Sequence, residues 1–175
     1  MKNICWMYRI ILVVVFVGFI VGCSSTKKVA VKPNEHMEIG WTPSTIFKAP
    51  SYAAWFDTTY SNYQLNEEKI DQLKKMTMDS VRILVVYGTW CSDSKREMPR
   101  FLKIMDAIGF PQDHITLIAV DRTMDIPPGI KKEYGITNVP TFIVSYRSTE
   151  MGRIIESPKT TLEGDLVELL LPLIH

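Results

Sequence analysis

Thr89-Trp90-Cys91-Ser92-Asp93-Ser94-Lys95 joins two segments of different period. Before it, Val81-Arg82-Ile83-Leu84-Val85-Val86-Tyr87 is an apolar run of strand length. After it, Met98, Phe101, Leu102 and Met105 recur at spacings of three and four, one face of an amphipathic helix. A cysteine at such a junction meets helix N–H groups that lack intrahelical partners, and the positive end of the helix dipole. Both favour an anion, and so a reactive sulfur. The polar run from Ser92 to Glu97 argues for an exposed helix start, against Cys91 as a small buried hydrophobe. Lys95 and Arg96 act with the dipole and Asp93 acts against it. Ser94, about one turn on, can donate its hydroxyl proton to sulfur.

Strand, Trp-Cys, helix, and then Val139-Pro140-Thr141 ahead of another strand resembles the thioredoxin-like family over residues 65–171. Within that family the pattern is similar to the TlpA and thioredoxin-related envelope lipoproteins. The resemblance implies a three-layer α/β/α fold with a mixed central sheet. It implies that Trp90-Cys91 opens the active-site helix and that Pro99 kinks it. It implies that Val139-Pro140 is a cis bond whose loop lies against the reactive sulfur and lines a substrate groove. Cys91 and Ser94 are then the catalytic positions, and Trp90, Val139 and Pro140 contact substrate. Two departures matter. The second cysteine of the family's Cys-x-x-Cys is Ser94, so the site can form a mixed disulfide but nothing at Ser94 can resolve it. The family's buried acid, six residues before the first cysteine, is Val85 here, which removes the usual proton acceptor.

The N-terminus reads as a targeting segment. Lys2 and Arg9 precede Ile10–Val21, an apolar run of signal-peptide length and short of a spanning helix. Ile20-Val21-Gly22-Cys23 resembles a bacterial lipobox, which implies removal of residues 1–22 and acylation of Cys23. An uncleaved membrane anchor that uses Cys5-Trp6-Met7-Tyr8 as extra apolar length is the other reading. Both put the domain outside the cytoplasm, in a bacterial envelope and on a membrane. On the lipobox reading Cys91 is the one free thiol of the mature chain, so a redox cycle needs a partner thiol.

Residues 23–49 read as a polar tether after Cys23, ordered at most in its second half, and 50–64 as an aromatic extension with Tyr52, Trp55, Phe56, Tyr60 and Tyr63. That extension packs against the domain or forms a substrate lip. The thioredoxin-like domain then occupies 65–175. Asn66 is a helix N-cap followed by Glu67 and Glu68 in the first turn, with Ile70, Leu73 and Met76 inward. The helix from Cys91 stops at Gly109. Residues 114–120 form a buried strand, with His114 a solvated edge residue. Gly129–Tyr134 is a short helix. Phe142–Tyr146 and Gly152–Glu156 are strands joined by a Ser148-Thr149-Glu150 turn. In the last helix, from Thr161, Leu162, Leu166, Leu169 and Leu170 face inward while Glu163, Asp165 and Glu168 face solvent.

A chain of 175 residues, 46% of them hydrophobic, suits one ordinary domain. Its formal net charge of +1 does not suggest a nucleic-acid partner, which would call for a basic face. No histidine pair stands at metal-ligand spacing, and neither a metal nor another cofactor is expected. The expected function is thiol–disulfide exchange at Cys91 with protein disulfides or a low-molecular-weight thiol. The alternatives are a redox-inactive module holding an extended peptide in the cis-proline groove, and a structural lipoprotein domain. Tyr87 and Asp121 are the polar groups near strand ends that could move a proton.

Overall fold

The computed structural model describes residues 37–124 and 130–173. The lipobox, Cys23 and the apolar run before it lie outside those residues. Five strands form one mixed sheet: β1 (Gly40–Thr42), β2 (Val81–Tyr87), β3 (Ile115–Ala119), β4 (Thr141–Tyr146) and β5 (Thr149–Ile155), in the order β1-β3-β2-β4-β5. Only β2 and β3 run parallel; β1 is antiparallel to β3, as β4 is to β2 and β5 to β4. The helices are α1 (Pro50–Asn62), α2 (Glu67–Lys74), α3 (Ser92–Ile108), α4 (Ile130–Tyr134) and α5 (Leu162–Leu170). The architecture is α/β and three-layered, with the sheet in the middle.

Alternation along β2 divides the core. Val81, Ile83, Val85 and Tyr87 join a large cluster with Phe101, Met105, Ile70, Leu73 and Leu166 from the helices. Val86 turns the other way, into a small cluster with Ile118, Val120, Ile136, Val139 and Ile143. Helices α1, α2, α3 and α5 therefore share one thick layer. Among the described residues the second face carries only α4 and its flanking segments. Among the described residues no helix is long and apolar enough to cross a membrane.

Local signals explain most boundaries. Asn66 caps α2 by accepting from the Lys69 N–H at 3.1 Å, and Thr161 caps α5 by accepting from Gly164 N–H at 3.1 Å. Gly109 ends α3 in the left-handed region, φ 66°. Three expectations need correction. The hairpin between β4 and β5 turns on Arg147 and Ser148, both at positive φ (49° and 66°), so Thr149 and Glu150 already belong to the strand. Glu163 and Asp165 do not face solvent. Glu163 is 0% exposed and takes the Tyr63 hydroxyl at 2.7 Å and the Asn66 N–H at 3.3 Å. Asp165 is 6% exposed and accepts from the Lys159 and Thr160 N–H groups. Nor is the segment before residue 50 only a tether: Gly40–Thr42 is the edge strand, and Phe47 is 1% exposed, stacked on Phe56 at 4.7 Å.

The aromatic segment is helix α1. It packs against α3, where Tyr60 donates to Asp106 at 2.6 Å. Two hydroxyls lie deeper. Tyr52 bonds Glu38, and its pKa is pushed up to about 12, first by burial and then by that carboxylate. Burial likewise pushes Tyr87 up to about 12, partly offset by its bond to Thr42 at 2.9 Å.

Candidate active site at Cys91

β2 ends at Tyr87 and the chain turns through Gly88-Thr89-Trp90 into α3. Cys91 is the N-cap residue, in extended conformation (φ −84°, ψ 129°), and its carbonyl accepts the Lys95 N–H at 3.0 Å. Its side chain makes no capping hydrogen bond to the first-turn amides. The thiol is free and half-buried, and it donates to the Val139 carbonyl at 3.2 Å. The Val139–Pro140 peptide is cis, and both residues are buried. The structure thus brings Cys91 and the Val139-Pro140 loop together.

Trp90 lies across the loop. Its indole N–H donates to Val120 O at 2.8 Å, and the Arg122 guanidinium stands 5.1 Å above its ring. Val120 N–H in turn donates to Tyr87 O at 2.8 Å, which ties the loop to the ends of β2 and β3. Gly88 is needed under the indole, because a Cβ there would stand 2.8 Å from ring atoms. Trp90 and Cys91 both pack against the small cluster on the second face.

Ser94 is placed differently from the expectation that its hydroxyl serves the sulfur. Its side chain is 1% exposed, and Oγ accepts the N–H of buried Gly88 at 3.1 Å. It fastens the start of the loop. Val85 is 0% exposed in the large cluster, so that position holds no acid. Tyr87 belongs to the thick helical side, not to the cluster that holds Cys91. Asp121 accepts the Thr123 N–H and hydroxyl at 2.9 and 2.6 Å, a local turn.

The charges around the helix start are paired. Arg96 reaches Asp93 at 2.6 Å, Glu97 at 2.5 Å and the Ser157 hydroxyl at 2.6 Å. Its pKa is raised, chiefly by Glu97. Glu97 is 1% exposed and also takes Arg100 at 3.2 Å. Sequence reasoning missed this acid; its place one residue before the inward Met98 was the available signal. Among the described residues no group of three or more His, Cys, Asp or Glu is arranged to hold a metal. A hollow of about 680 Å³ between Phe47, Phe56 and Leu102 is lined by none of the Cys91 loop residues.

No family model matches the chain. It is 30% identical to the mitochondrial Thioredoxin-3 of Saccharomyces cerevisiae over 87 residues, 50% of this chain and 64% of that one. It is 25% identical to Thioredoxin H2 of Arabidopsis thaliana over 127 residues, 73% of this chain and 81% of that one. Its sequence is similar to those of thioredoxins. Among solved structures, the oxidised form of the yeast mitochondrial thioredoxin 3 is 22% identical, with a TM-score of 0.38, and covers 66% of this chain and 99% of its own. The chain thus spans just under two thirds of the yeast protein it matches in sequence.

Proposed function

We propose that this thioredoxin-like protein works outside the cytoplasm, tethered to the bacterial membrane through lipid on Cys23, and exchanges disulfides through Cys91 acting alone. The carrying observation is a free, half-buried thiol at the N-cap of α3, 3.2 Å from the carbonyl of Val139 beside Pro140. The Cys91 thiolate attacks one sulfur of a partner disulfide. The partner's S–S bond breaks, a Cys91–partner disulfide forms, and the released sulfur takes a proton from water. One disulfide is consumed and one is made. Ser94 supplies no second thiol, so a low-molecular-weight or protein thiol must attack the mixed disulfide to free Cys91.

Trapping tests this reading. Envelope extracts quenched in acid and alkylated should yield disulfide-linked adducts of the wild type and none of Cys91→Ala. Failure to find any, with purified Cys91 inert towards a small disulfide, would leave a redox-inactive module that holds a partner at the Val139-Pro140 loop. Ser94, buried with its oxygen on the Gly88 N–H and offering no second thiol, is the observation that favours that second reading. The tether is tested separately: Cys23→Ser should abolish palmitate labelling and release the protein. Unlabelled wild type still on the membrane would mean a helical anchor instead.

A further inference from the structure

The edge strand β1 and the three residues before it turn apolar side chains outward. From Met37 to Thr42 exposure alternates, with Met37, Ile39 and Trp41 outward and Glu38, Gly40 and Thr42 inward. The inward set is polar or small: Glu38 accepts from the Tyr52 hydroxyl at 3.1 Å, and Thr42 pairs with Tyr87 at 2.9 Å. The outward set is 38%, 57% and 62% exposed and supplies three of the five large exposed apolar side chains in the described residues. Edge strands ordinarily carry charge on that side. An apolar patch of this kind, concentrated in five residues, marks an interaction surface.

Position says which interaction. Trp41 lies opposite Ile118 in the β1–β3 register, and Ile118 belongs to the cluster against which Trp90 and Cys91 pack. Gly40 lies opposite Ala119, so the chain enters β1 at the end of β3 where Val120 holds the Trp90 indole. Beyond Trp41 a hollow of about 440 Å³ runs over Leu84, Thr116 and Tyr134, with Arg82 and Glu150 at its sides. Charges of both signs there suit a polypeptide better than an anionic lipid surface, which selects basic residues. Among the described residues β1 is the edge strand of the sheet, the kind of edge at which an extended peptide can add.

We propose that Met37, Ile39 and Trp41 dock the extended, apolar polypeptide segment that flanks the disulfide attacked by Cys91. This names a substrate class and rests on the redox reading above. The strip gives substrate selection and the sulfur gives the exchange.

The test uses the full-length protein in detergent and three disulfides with a shared chromophoric aromatic thiolate as leaving group. One is on a Leu/Val/Phe-flanked peptide, one on a Ser/Gln/Gly-flanked peptide, and one on a small alkyl thiol. Wild type should react with the apolar peptide roughly tenfold faster than with the polar one, equivalent to ~1.4 kcal/mol. Ile39→Ser combined with Trp41→Ser should bring that ratio below about twofold and leave the small-disulfide rate unchanged. Equal rates on both peptides in the wild type, or an unaltered ratio in the variant, would overturn the inference. If Cys91 reacts with none of the three, the redox reading fails instead. The strip is then judged by binding of the apolar peptide with serine for cysteine, read from the Trp41 indole N–H resonance. No shift there, or a shift produced by anionic vesicles and not by peptide, would also overturn it.

Discussion

Ser94→Ala separates the two jobs a serine at this place can have. In the structure Ser94 Oγ accepts the Gly88 N–H at 3.1 Å, and both groups are buried. Alanine fits the space but removes the acceptor, leaving an N–H inside the protein with no water to replace it. A buried donor left unmet costs ~1–3 kcal/mol. For a domain of this size ~2 kcal/mol lowers the melting midpoint by roughly 6–10 °C. Reaction of Cys91 with a small disulfide should meanwhile stay within about twofold of wild type, because the Ser94 oxygen is bonded to the Gly88 N–H of the loop and the Cys91 thiol to Val139 O. Calorimetry and the release of a chromophoric thiolate measure the two quantities on the same samples. An unchanged midpoint together with a tenfold slower reaction would refute the reasoning and return Ser94 to the sulfur.

Tyr87→Phe tests the buried hydroxyls. The phenol's pKa is about 12 in the fold against about 10 in the unfolded chain, so the fold favours the protonated form. Its contribution is complete below pH 10 and is lost as pH rises towards 12, by ~1.4 kcal/mol per unit. The variant should lose ~1 kcal/mol near neutrality, from the Thr42 bond, and show a flatter fall in urea stability between pH 10 and 11.5. An identical alkaline slope would mean that Tyr87 does not titrate this way. Gly88→Ala places a Cβ 2.8 Å from the Trp90 indole. It should shift the indole N–H resonance as the bond to Val120 O breaks and cost ~1–3 kcal/mol by overpacking; an unmoved resonance would contradict the packing described.

Elements with local signals were legible in the chain. The Val81–Tyr87 run, the Asn66 cap and the Gly109 stop act over a few residues, and each lies where the sequence puts it. What escaped depends on distant partners. Helical periodicity marks the apolar side of α5, but it carries no information about the Tyr63 hydroxyl and Asn66 amide that draw Glu163 inward. Gly40–Thr42 is too short to announce itself, and the strand it joins is Leu117–Ala119, far along the chain. Ser94 shows the same limit within the site. Its spacing from Cys91 was readable, whereas its bond to Gly88 follows from how the loop folds back.

The unequal helical layers have a consequence for timing. Among the described residues the thin side is held by six buried side chains, Val86, Ile118, Val120, Ile136, Val139 and Ile143, whereas β2 is also gripped by the large cluster. Fewer buried side chains hold the thin side, so local opening is expected there at a free energy below that of global unfolding. An opening that moved the Val139 carbonyl off the sulfur would expose the thiol further, and its availability would then follow an equilibrium population. In native-state hydrogen exchange the Ile136 amide should then report a lower opening free energy than the amides of β2; equal values would join the two layers into one unit.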